Sequence, residues 1–135
     1  MKAIQFAHSL RVVLTGAALT CAATVAFADI KNYEFKLVEP TVKTGPDKTI
    51  AVKLVDKTTG KPVPGAVIFA TRLDMAPDAM QEMVTKVTPL PGSEPGTYRF
   101  KASFSMAGRW QLSLGAKVQG ETGTVENKLV IQADQ

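Results

Sequence analysis

From residue 33 onward, apolar side chains recur at every second position in short runs, and glycine and proline punctuate the gaps between runs. That period of two is the signature of strands with one face buried. "YEFKLVEP" (33–40) alternates and stops at a proline, and "TIAVKLVD" (49–56) sets Ile50, Val52 and Leu54 against Ala51, Lys53 and Val55. "AVIFATRL" (66–73) is more continuously apolar, as a central strand would be. "MVTKVTPL" (83–90) reads as one further strand, and "TYRFKASF" (97–104) turns Tyr98, Phe100 and Ala102 inward, with Arg99 and Lys101 outward. "RWQLSLGAKV" (109–118) alternates Trp110, Leu112, Leu114 and Ala116, and "NKLVIQ" (127–132) closes the series. "KTTGKPVPG" (57–65) and "PGSEPG" (91–96) are turns, and "PTVKTGPDK" (40–48) reads as a loop. About seven short strands at roughly ten-residue spacing predict an all-β, immunoglobulin-like antiparallel sandwich with Trp110 in its core.

The first 28 residues follow a different logic. Lys2 and Arg11 precede the apolar run "VVLTGAALTCAATVAF", and Ala26-Phe27-Ala28 then offers small residues before Asp29. A basic start, an apolar middle and a small-residue site predict a secretory signal cleaved after Ala28. The apolar run is short for a membrane span of about 20 residues. A lipoprotein signal on Cys21 fits less well, because Thr20 stands where a small Gly, Ala or Ser is wanted, and a retained anchor is the other alternative. The expected exported domain is residues 29–135, a single small domain that can just bury its own core. No second apolar stretch follows, so no membrane span is expected after cleavage, and the expected location is periplasmic or secreted.

Cleavage alters the chemistry on offer. Cys21 and His8 are the only cysteine and histidine, and both leave with the signal. Without thiol or imidazole there is no Ser-His-Asp triad, no Cys-His pair and no Cys/His zinc site. A Ser-Lys nucleophile lacks any motif around Ser93, Ser103, Ser105 or Ser113. Asp74, Asp78 and Glu82 are spaced by four, but a small sandwich offers no evident cleft to raise one carboxyl pKa for glycosidase work. They read as solvated loop acids, with Asp78 starting a short helical turn. The calcium-loop pattern is missing, and "GSEPG" has too few acceptors for a phosphate or calcium loop. An enzyme is not expected. Removing Lys2 and Arg11 leaves 14 basic residues against 12 acidic ones, a net +2, and the basic residues are dispersed along the chain. A solvated surface explains them, and no nucleic-acid partner is implied.

One stretch resists a bland reading. "RLDMAPDAMQEM" (72–83) carries Met75, Met80 and Met83 among carboxylates, and Met106 is the one remaining methionine of the exported domain. Methionine ordinarily fills core gaps, which suits Met83 at the start of a strand and Met106 at the end of the sandwich. Met75 and Met80 sit in a segment polar enough to read as a surface loop. In a sandwich, the connection around 73–83 and the one around 104–109 fall at the same end, which brings Met106 toward the other three. Thioethers are neutral, soft and non-titrating, so the metal they favour is Cu(I) over Zn(II), Ca(II) or Mg(II). The expected metal ligands are therefore Met75, Met80, Met83 and Met106, with Asp74, Asp78 and Glu82 as charge balance. The alternative is a metal-free protein-interaction module of a periplasmic complex, using the same flexible loop as a contact surface.

"GKPVPGAVIFATRLDMAPDAM" followed by "PGTYRFKASFSMAGRWQLSL" resembles the YtkA-like, FixH-related family of small exported or membrane-anchored immunoglobulin-like domains. The likeness runs over roughly residues 33–131. It implies a non-enzymatic accessory domain tied to copper handling or oxidase assembly, with a copper-handling or oxidase-assembly protein as partner. It also matches Met75, Met80, Met83 and Met106 to the family's methionine motif. Two departures stand out: relatives often carry a histidine near this loop, and FixH-type proteins carry an anchor in place of a cleavable signal.

Overall fold

A computed structural model describes residues 30–92 and 94–135; the expected signal and its cleavage site lie outside the described residues. Among the described residues nine strands follow in chain order. They are β1 (Tyr33–Leu37), β2 (Thr41–Lys43), β3 (Gly45–Asp56), β4 (Val67–Met75), β5 (Met80–Thr85), β6 (Val87–Leu90), β7 (Thr97–Phe104), β8 (Gly108–Lys117) and β9 (Val125–Asp134). They form two sheets, β1-β3-β7-β6 and β2-β9-β8-β4-β5, which pack as an immunoglobulin-like β-sandwich. Among the described residues no helix is long and apolar enough to cross a membrane.

The predicted alternation fills the space between the sheets. Ile50, Val52, Leu54, Phe100, Ala102 and Phe104 come from one sheet, and Leu73, Leu112, Leu114, Ala116 and Ile131 from the other. Trp110 is 1% exposed and meets Phe104 edge to face at 5.5 Å. Its indole Nε1–H donates to the carbonyl of Met106 at 3.2 Å, so the ring gives apolar area to the core while its polar atom is satisfied. Tyr98 is only partly buried, because its hydroxyl has a structural task. It accepts from the Ala66 amide and donates to the Val63 carbonyl, both at 2.9 Å, pinning the predicted turn against β7.

Two expectations change. Residues 40–48, read as a loop, contain β2 and the start of β3. β1 pairs with β3, and the Val38 amide still donates to Ala51. The Pro40 carbonyl then accepts from Gln132, and β2 runs parallel to β9 in the opposite sheet. Proline has no N–H to extend the ladder with β3, so the chain crosses between sheets at that point. Residues 83–90, read as one strand, belong to two. β5 pairs with β4, and after Lys86 the chain changes sheet so that β6 pairs with β7. A period-two pattern survives such a crossing, because both segments still turn alternate side chains toward one core.

Candidate metal centre

β4 and β5 form a hairpin closed by a 3-10 turn, Ala76–Asp78. Pro77 lies within that turn, and Ala79 ends it in the left-handed region at φ 58°. Asp74 fixes its entry. Its Oδ1 accepts from the Ala76 amide at 2.9 Å and its Oδ2 from Arg72 Nε at 2.6 Å, so a nearly buried carboxylate is fully engaged. Arg72 Nη2 also donates to the Gln81 carbonyl at 3.1 Å, tying the two arms of the hairpin together.

Asp78 joins this turn to the first residues of β8. Its carboxylate accepts from the Arg109 backbone amide at 2.7 Å and from Arg109 Nε at 2.8 Å, and Arg109 Nη2 donates to the Pro77 carbonyl at 2.8 Å. The Arg109 amide first, and its guanidinium next, hold the Asp78 carboxyl below the usual carboxylate range against a smaller opposing effect of burial. Asp78 is thus the last residue of a 3-10 turn and a clamp on the start of β8, where the sequence suggested a helix start. Among the described residues, no group of three or more His, Cys, Asp or Glu side chains comes together to hold a metal ion.

The methionines lie on the β4–β5 hairpin and just before β8, in unequal settings. Met75 is fully buried, a correction to its reading as a surface-loop residue. As the last residue of β4 it continues the inward face of Leu73, and strand register outweighs its polar neighbours in sequence. Met75 and Met80 are register partners across the hairpin. Met80 and Met83 are half-buried against the core from edge strand β5, whereas Gln81, Glu82 and Val84 face solvent. Met106 is 39% exposed in the adjoining connection, so it does not plug the sandwich. Its backbone, through the Trp110 bond, is the part tied to the core.

Gly108 sets how closely the hairpin and the start of β8 approach. It holds φ 143°, and a Cβ there would fall 2.5 Å from Met75 Cε and 2.8 Å from Asp78 Oδ2. Only glycine fits this backbone and this contact. The sequence reading missed Gly108 and Arg109 as parts of the site. The signal available was "MAGRW" itself, a glycine and a cation immediately after the lone distal methionine.

The family model described as YtkA-like matches residues 27–115. A comparison with curated proteins gives no match. Among solved structures, the chain is similar to the Lin-41 filamin domain, at 18% identity and a TM-score of 0.47, over 81% of this chain and 98% of that one. It is also similar to the ZirS C-terminal domain, at 15% identity and a TM-score of 0.46, over 84% of this chain and 74% of that one.

Proposed function

This chain belongs to the YtkA-like family, and we propose that it is a non-enzymatic periplasmic accessory protein that binds or carries Cu(I) through its corner methionines. One observation carries the reading: the β4–β5 hairpin that bears Met75, Met80 and Met83 packs, through the Met75 methyl, against Gly108, two residues after Met106. Met80, Met83 and Met106 retain solvent access, and Met75 is buried with its methyl against Gly108. Neutral sulfur donors suit a soft monovalent cation, and the neighbouring Asp74 and Asp78 are already committed to Arg72 and Arg109. Delivery to a copper-handling or oxidase-assembly partner is the role this chemistry fits. The burial of Met75 favours a second reading, in which the methionines are packing and the exposed rim of the corner is a metal-free contact surface.

Cu(I) competition against a chelator separates the two. The wild type is expected to retain copper, and a Met80→Leu/Met106→Leu variant to lose it. Zn(II) should not compete. Retention should stay nearly level between about pH 5 and pH 8, because thioethers do not titrate, unlike an imidazole of pKa near 6.5. Equal retention by the wild type and the double variant rejects the copper reading in favour of the contact surface.

A further inference from the structure

Sheet edges attract added strands, and proteins blunt them with charge, proline or shortness. Most edges of this sandwich are blunted. β1 carries the Lys36–Glu34 pair, β6 contains Pro89, β2 is three residues long with Lys43, and β5 presents Glu82. β4 differs. β5 covers it only at Leu73, Asp74 and Met75, so residues 67–72 have β8 on one side and, among the described residues, no strand on the other. From Val67 to Thr71 this open edge has neither a charge nor a proline. Val67 is 60% and Phe69 56% exposed.

A depression lies on each face of that edge. On the outer face, a trough of about 460 Å³ runs beside Phe69 over Ser113 and Gly115, rimmed by Arg72, Lys128 and Glu126. Its floor is low because Gly115 has no side chain: a Cβ there would approach the Phe69 ring to 3.2 Å. Between the sheets, a groove of about 350 Å³ is lined by Ile68, Thr71, Pro89, Leu90 and Arg99. Phe69 and Thr71 line both depressions. A register shift between Ile68 and Ala70 leaves Phe69 and Ala70 both exposed, which opens the outer trough. An extended peptide alternates its side chains between two faces, and a free edge flanked by two depressions is the complement of that alternation.

Charge selects the occupant. Lys128 rims the trough, Arg99 lines the groove and Lys117 stands opposite Val67; Glu126 shares the rim, and Arg72 and Asp74 neutralise each other. A second copy would set these cations against themselves, whereas an acidic strand meets them with opposite charge. We propose that residues 67–72 take an extended acidic segment of a partner protein as an added strand, with its apolar side chains in the groove and its carboxylates toward the outer rim.

The test uses the synthetic peptide Ser-Glu-Val-Asp-Val-Glu-Val-Thr-Ser, and a second version with lysine at each acidic position, in NMR titrations of the purified protein. Saturable shifts are expected at the backbone amides of residues 67–72, with the acidic peptide bound at least tenfold more tightly than the lysine version. Phe69→Ser and Lys128→Glu are both changes at solvent-facing positions, so the fold should persist, as an unchanged Tm would show. Each should weaken the acidic peptide about tenfold. Met80→Leu/Met106→Leu should leave its binding unaltered, which separates this surface from the copper corner. Equal binding of the two peptides, or shifts confined to other strands, would overturn the proposal. So would concentration-dependent pairing of the protein with itself through the same amides, which would assign the edge to a second copy.

Discussion

Asp78 ties its turn to β8 by accepting two hydrogen bonds from Arg109, whose Nη2 donates a third to the Pro77 carbonyl. Because its folded pKa lies below its ordinary value, the ionised form is the one the fold prefers. The stability it contributes is therefore present above the unfolded carboxylate pKa of about 3.9 and is lost as pH falls through the folded value. The thermal midpoint is expected to fall as pH drops from about 5 to about 3, and to fall less in Asp78→Asn. Part of the decline should remain in that variant, because Asp56, held low mainly by the Thr58 hydroxyl and amide, acts with the same sign. A second expectation concerns Met75. Fully buried, it should lose roughly 2–5 kcal/mol on truncation to alanine and less than about 1.5 kcal/mol on replacement by leucine of similar volume, read from denaturant unfolding. Equal, negligible costs for both changes would contradict its place in the core.

At the scale of elements, the β4–β5 hairpin and the start of β8 are one unit, joined by Asp78 to Arg109 and by Met75 to Gly108. Gly108→Ala would add a methyl into both contacts on a backbone that L residues rarely adopt. We expect it to cost roughly 1–3 kcal/mol, as overpacking does. Copper retention should drop along with it if Met75 and Met106 need that close approach, and thermal unfolding beside chelator competition on the one variant measures both. The strands themselves were legible because alternation is local. β3, β4, β7 and β8 lie within a few residues of the runs read from the pattern. The crossings after β1 and after β5 were not legible, since a strand changing sheets keeps its period while exchanging its hydrogen-bond partner.

For the whole molecule, the expected product of export is a chain beginning at Asp29. Intact mass of the exported protein should match residues 29–135; a mass including the first 28 residues, or a lipid on Cys21, would reject the cleavage. The sequence by itself determined the β class, the core faces and Trp110 at the centre, because apolar spacing and turn residues act within one strand or one turn, and its motifs carried the family. It also supplied the four methionines and the chemistry they share. Only the tertiary structure decided that Met75 is buried while Met106 is exposed, that Asp78 is a clamp, and that two-thirds of β4 is an open edge. Burial and pairing depend on which strand lies alongside, and that neighbour is set by contacts between residues far apart in the chain.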